Sequence, residues 1–253
     1  MERDQGSAVT VHFIGAGPGA ADLLTLRAVR LIESSPVCLY AGTYIDDQIL
    51  AHCPPGANLI DSQHLNLDQI TDHLVAAHRR GEDVARLCSG DPSIYSAVAE
   101  QTRRLDAAGV GWDVTPGVSA YAAAAAIIGR ELTVPELAQT VILTRTQAVS
   151  TAMPETESLG YLARARATMI IHLAIRRIRQ LCAELMPAYG PDCPAVVVAN
   201  ATQPTEQVLR GTVATIADQV ERADVRQAAV IMVGEALHAE EFVESHLYGK
   251  RRR

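Results

Sequence analysis

Three short stretches carry the residue types and spacing that could do chemistry. Residues 15–20 read GAGPGA, residues 88–96 read CSGDPSIYS and residues 115–121 read TPGVSAY. Each closes an apolar run with glycine or proline and leads into a helix-forming segment. Turns at the carboxyl ends of strands are where open α/β sheets bind ligands. The first stretch satisfies G-x-G-x-x-G/A, so a dinucleotide such as NAD or FAD has to be weighed. Pro18 removes one backbone amide from that loop, and the next apolar run, PVCLY, ends at Tyr40 without an acid for a ribose. Asp91 could contact a ligand or, being followed by proline, could simply cap a helix. Ser119 could cap the alanine-rich segment behind it or form a polar wall, and the alanines permit close approach.

The rest of the chain narrows the chemistry. The histidines are scattered, with no H-E-x-x-H, C-x-x-C or G-x-S-x-G, so neither a metal centre nor a nucleophilic triad is expected. His73 and His78 fall in a polar helical stretch and are expected at the surface. His172, in MIIHLA, reads as a satisfied core or cleft histidine. The five cysteines are an odd, widely spaced set, and Cys38 and Cys88 lie in apolar runs, which fits a reduced cytoplasm. The N-terminus has no apolar signal core, and no window holds the roughly 18 apolar residues of a membrane span. Formal net charge is −7, and the dense basic run is KRRR at 250–253. It reads as a solvated end, so no nucleic-acid partner is expected.

These turns need elements to position them. VTVHFIGAG, SPVCLYAG, ANLIDS, DVARLCSGD and GWDVTPG read as five short strands. TLRAVRLIESS and LDQITDHLVAAHRRG, between them, have helical length. In the first, Leu26, Val29 and Arg30 recur at the spacing of a one-sided helix. Strand–helix alternation with buried strands predicts a mostly parallel sheet covered on both faces. SAYAAAAAIIGREL is a strong helix former. A second set follows: strands in QTVILTR, ATMIIHLA, PAVVVANAT and AAVIMVGEAL, helices in IRRIRQLCAELMPAYG and VATIADQVERADV, and an irregular entry in MPETESLGYLARAR. With a boundary near 129–135, the expectation is an N-terminal α/β domain over 8–130, a C-terminal α/β domain over 131–247 and a disordered basic tail over 248–253. The default site is a cleft between the domains.

Read as consecutive blocks, FIGAGPGAADLLTLRAVRLI, CLYAG, SGDPSIYSAVAEQ, TPGVSAYAAAAAIIGRELTVPELAQTVILTR and VVVANATQPTEQVLRGTV resemble the tetrapyrrole methyltransferase family. They occur in the family's order from Val9 to about Leu237. YAG at 40–42, LTVPELAQTVILTR and MPETESL are most similar to the branch that methylates C-11 of precorrin-4 in cobalamin biosynthesis. Sister precorrin, cobalt-precorrin-4 and uroporphyrinogen-III methylases are the alternatives, and a nucleotide-binding regulatory module is the reading from another class. The resemblance implies a two-domain α/β fold with S-adenosylmethionine in the interdomain cleft, leaving S-adenosylhomocysteine as product, and a homodimer. Carried over by motif, Pro18 borders the cofactor and substrate. Ser89, Gly90, Asp91, Ile94 and Tyr95 surround the cofactor, and Ser119 and Ala120 face it from the next turn. Leu173, Ala201 and Gly234 line its adenine and methionyl parts. Leu173 departs from a common methionine, and Ser89 from a common glycine, which requires torsions that suit a Cβ. The anionic tetrapyrrole calls for basic side chains, for which Arg27, Arg130 and Arg145 are candidates. Tyr44 and Asp46 are substrate-side candidates; these two and Asp47 are also the candidates for a general base, should the acceptor need one, and no catalytic base is identified.

Overall fold

The computed structural model describes residues 10–146, 153–240 and 242, so the basic run at 250–253 lies outside the described residues. The chain divides into two compact units, Met1–Ala120 and Tyr121–Arg253. The division falls at the head of the alanine-rich helix, ahead of the 129–135 stretch.

In the first unit, the five apolar runs form β1 (Thr10–Gly15), β2 (Val37–Tyr40), β3 (Asn58–Asp61), β4 (Val84–Cys88) and β5 (Gly111–Thr115). They make one sheet in the order β3-β2-β4-β1-β5, with every neighbouring pair parallel. Its helices are α1 (Leu26–Ser34), α2 (Asp47–Leu50), α3 (Leu67–Arg79) and α4 (Val98–Ala107). α3 starts at Asn66 through a capping box, in which Asn66 accepts from the Gln69 amide and the Gln69 side chain accepts from the Asn66 amide. Apolar side chains fill both faces of the sheet: Val11, Phe13, Leu39, Leu74 and Leu105 form one cluster, and Ile14, Ala28, Ile32, Cys38 and Leu87 another.

The face expected for α1 is wrong. Leu26 is 82 % exposed, while Ala28 and Ile32 are buried. Two residues along a helix is about 200° of rotation, so Leu26 points opposite Ala28. The buried Ala28 and Ile32 are four residues apart, the partly buried Leu24 ahead of the helix packs on the same cluster, and the small Ala28 lets the helix approach the sheet.

The second unit contains β6 (Val141–Arg145), β7 (Thr168–His172), β8 (Pro194–Ala199), β9 (Gln207–Thr212) and β10 (Ala229–Val233), with α5 (Ala120–Ile128) at its entry. α6 (Leu159–Leu162), α7 (Ile178–Tyr189) and α8 (Ile216–Arg222) complete it. The strand order is β6-β7-β10-β8-β9. Only β6 and β7 pair in parallel; the other three pairings are antiparallel. This sheet is therefore mixed. β9 has no counterpart among the apolar runs, because QVLRGT is a half-exposed edge strand with no buried residue. The core joins Met169, Ile171, Leu181, Leu185, Val197, Ile216 and Ile231.

Candidate cofactor site

β1, β4 and β5 are neighbours and parallel, so their carboxyl ends leave the first sheet at one edge. Their three turns meet there backbone to backbone. The Ala16 amide donates to the Cys88 carbonyl at 2.8 Å, the Gly17 amide to the Gly90 carbonyl at 3.2 Å and the Gly90 amide back to Gly17 at 2.7 Å. A Cβ on Gly15 would lie 2.4 Å from the Gly117 nitrogen, and one on Gly117 would lie 2.3 Å from the Gly90 oxygen. Only glycine permits that approach. Gly17 and Gly90 also take φ of +74° and +67°, where a side chain is strained.

Asp91 ties two of these turns together. Its Oδ1 accepts from the Ser93 amide at 2.9 Å and from the Ser93 hydroxyl, and its Oδ2 accepts from the Gly117 amide at 2.9 Å. No helix begins at Asp91: the residues after it form turns, and α4 starts at Val98. Capping therefore does not explain it. Partial burial works to raise its pKa, but hydrogen bonds from the Ser93 hydroxyl, the Gly117 amide and the Ser93 amide outweigh this and hold it below the usual range. Ser89 has no positive φ and is exposed, so the departure from glycine is accommodated. Pro18 is buried in the glycine turn. Ile94, Ser119 and Ala120 are half-buried and Tyr95 is exposed. Ser119 lies directly ahead of α5, with its Cα 3.7 Å from where a Gly90 Cβ would stand. The first-unit residues singled out in the sequence, Pro18, Ser89 to Asp91, Ser119 and Ala120, therefore share one sheet edge.

Sequence reasoning missed the support behind this edge. Arg86, in the fully buried strand β4, donates through Nε to Gln101 Oε1 at 3.0 Å. Gln101, on α4, donates through Nε2 to the Ala97 carbonyl at 3.0 Å and the Ser96 carbonyl at 3.4 Å. The available signal was an arginine inside the otherwise apolar run DVARLC.

In the second unit the expected residues fall into two groups. The register places Arg145 opposite His172 and Ala199 opposite Ala229, so Arg145, Leu173 and Ala201 lie toward one end of the sheet. Gly234 lies at the other end, where its Cβ would meet the Thr168 Cα at 3.1 Å. The structure thus does not bring Gly234 to Leu173 and Ala201. Leu173 is 69 % exposed with φ +54°, while Ala201 is buried between Asn200 and Thr202, both at positive φ. His172 is half-buried, and burial pushes its pKa down.

The expected substrate-side residues lie on separate elements of the two units. Arg27 is exposed on α1, and Tyr44 is exposed in the loop after β2. Asp46 caps α2, accepting from the Gln48 amide at 2.8 Å, and Asp47 is exposed. Arg130 is engaged with the Ala239 carbonyl at 2.8 Å. Arg145 lines a cavity of about 630 Å³ with Thr146, Met153, Arg177 and Glu184, all residues of the second unit. Among the described residues, no group of three or more histidine, cysteine, aspartate or glutamate side chains could hold a metal ion, and no helix is long and apolar enough to cross a membrane.

A parallel sheet whose strand ends carry close-packed glycine turns and a bridging aspartate has the form of the edge at which open α/β folds hold ligands. Residues 10–217 match the tetrapyrrole (corrin/porphyrin) methylases, and the chain belongs to that family. It is 58 % identical to a precorrin-4 C(11)-methyltransferase of Rhodococcus erythropolis over 244 residues, covering 96 % of this chain and 98 % of the relative. Its fold matches a crystal structure of a cobalt precorrin-4 methyltransferase of cobalamin biosynthesis, with a TM-score of 0.89, 35 % identity and coverage of 94 % and 99 %. It also matches a uroporphyrin-III C-methyltransferase from Thermus thermophilus complexed with S-adenosylhomocysteine, with a TM-score of 0.77, 27 % identity and coverage of 90 % and 98 %.

Proposed function

We propose that this chain is an S-adenosylmethionine-dependent C-methyltransferase that methylates C-11 of precorrin-4, giving precorrin-5, in cobalamin biosynthesis. The observation that carries the reading is the near-full-length likeness to the Rhodococcus C(11)-methyltransferase. The glycine-turn edge supports the cofactor. Its small residues leave room for close contact, and its exposed rim of Ser89, Tyr95 and the Asp91 turn suits the polar groups of an amino-acid nucleoside. In this reading Pro18, Ser89, Gly90, Asp91, Ile94, Tyr95, Ser119 and Ala120 contact the cofactor, with Leu173 and Ala201 contributing from the second unit. Gly234 has a packing role against Thr168.

Bound there, S-adenosylmethionine supplies a methyl group already activated on a sulfonium. The acceptor is an electron-rich carbon of the macrocycle, so the protein has to align donor and acceptor and exclude water; it need not provide a strong nucleophile. This accounts for a site without a triad. Arg27, Arg145 and the exposed Tyr44 are the side chains offered to the acceptor's carboxylates. Cobalt-precorrin-4 is the second acceptor to test, favoured by the fold match to a cobalt precorrin-4 methyltransferase. The protein is expected to act in the cytoplasm as a homodimer.

The test is incubation with methyl-labelled cofactor and precorrin-4, its cobalt complex or uroporphyrinogen III, followed by carbon NMR. Label at C-11 is expected. Label only on uroporphyrinogen III, at C-2 or C-7, would replace this reading with the sister activity. Tight NAD binding with no interaction with S-adenosylhomocysteine would replace it with a dinucleotide-binding protein.

A further inference from the structure

Arg86 and Gln101 are 8 % and 1 % exposed, so neither reaches a ligand. Besides Gln101, Arg86 donates to the Leu39 carbonyl at 3.4 Å, the Ser62 hydroxyl at 3.4 Å and the Leu87 carbonyl at 3.3 Å. All are neutral acceptors. A cation buried among neutral groups is unfavourable compared with an apolar side chain of similar volume, so stability alone does not account for it. Its effect on Gln101 does. The amide of a glutamine can turn either way, but with Oε1 held by Arg86 its nitrogen must face the Ser96 and Ala97 carbonyls. The flipped amide would set oxygen against oxygen at both.

Those two carbonyls close the loop that runs from Asp91 to Ala97. Within it Tyr95 and Ala97 take φ of +55° and +50°, a conformation that residues with a Cβ hold only when the surroundings fix it. The Ser96 hydroxyl also donates inside the loop, to the Asp91 carbonyl at 3.3 Å and the Ile94 carbonyl at 3.2 Å. Ser93, Tyr95 and Ala97 are exposed, so apart from the loop's internal bonds the Gln101 amide holds its closing carbonyls from the buried side.

We infer that Arg86 and Gln101 are positioning residues: they hold the 91–97 loop in the shape that presents Ile94 and Tyr95 to the cofactor, and so set cofactor affinity without touching it. The ligand's identity rests on the methyltransferase reading; the control of loop conformation does not.

The test is the variant Gln101→Glu in the full chain. It keeps an oxygen for Arg86 but replaces the donating NH₂ with an acceptor facing two carbonyls. Calorimetry should show S-adenosylhomocysteine bound about tenfold more weakly than by the wild type, the loss expected for two hydrogen bonds. Amide exchange should accelerate over residues 91–98 and stay unchanged over β1. Wild-type affinity with wild-type exchange over 91–98 overturns the inference, as does uniform acceleration across the whole sheet. Should Gln101→Glu not fold, Arg86→Lys serves. It keeps the charge but cannot reach every acceptor at once, so about threefold weaker binding is expected, and undiminished affinity overturns the claim. Failure of the wild type to bind S-adenosylhomocysteine would sink the methyltransferase reading, while exchange over 91–98 would still decide the positioning role.

Discussion

Asp91 accepts from Ser93 and from the Gly117 amide with different oxygens, so its substitution acts on binding and on folding together. Asp91→Ala should weaken S-adenosylhomocysteine binding and also lower stability by about 1–3 kcal/mol, because the Gly117 amide loses its acceptor. Calorimetry and urea unfolding measure the two effects separately. A variant that binds normally would remove Asp91 from the cofactor site. The same carboxylate gives a pH dependence. Its pKa is depressed in the folded protein, so its contribution is present above the unfolded value, about 3.9, and is lost as pH falls through the lower folded value. The stability difference between wild type and Asp91→Asn should therefore shrink as pH drops from about 5 to 2. The SGDP block was legible in the sequence because its residues act close to one another. The bond from Asp91 to Gly117 was not, since it spans α4 and β5 and exists only once β4 and β5 have paired on either side of β1.

At the scale of elements, the meeting of the three turns depends on glycines for space, not only for torsion. Gly117→Ala would bring a Cβ to 2.3 Å from the Gly90 oxygen, against rigid backbone. A loss of about 1–3 kcal/mol is expected, with S-adenosylhomocysteine binding reduced because the edge has to spread. Gly160 is the control: it sits in α6 with nothing within 4 Å of its would-be Cβ. Gly160→Ala should be neutral or stabilise by up to about 1 kcal/mol. Equal losses in the two variants, read from urea midpoints, would contradict this account. The five strands of the first unit were legible because each is a compact apolar run. β9 was not, because the half-exposed QVLRGT, with Gln207, Arg210 and Gly211 among its six residues, offers no compact apolar run. α1 was legible as a helix but not in its orientation, since the small Ala28 marks the buried face and the large Leu26 does not.

For the whole molecule, the homodimer is the part of the proposal furthest from the single chain. Exposed apolar side chains on edge strands support it: Leu59 on β3, Val114 on β5 and Leu143 on β6. Unpaired edges carrying apolar residues call for cover. Light scattering at low micromolar concentration should give about twice the 27.1 kDa chain mass; a monomer would remove the claim. That the fold is α/β was legible from the alternation of runs. The direction of the strands in the second sheet was not, because apolar content is blind to whether a connection crosses over or turns back.

The strand order of the second sheet has a consequence in time. β7 and β8 are both paired to β10, the last strand among the described residues, and not to each other. Before Ala229–Val233 has left the ribosome, only two fragments can form, the β6–β7 parallel pair and the β8–β9 hairpin, with open edges facing the gap. The central strand is thus the last to be made. The second sheet must close after synthesis of almost all of its sequence, and a nascent chain halted short of β10 would expose two apolar strand edges to aggregation.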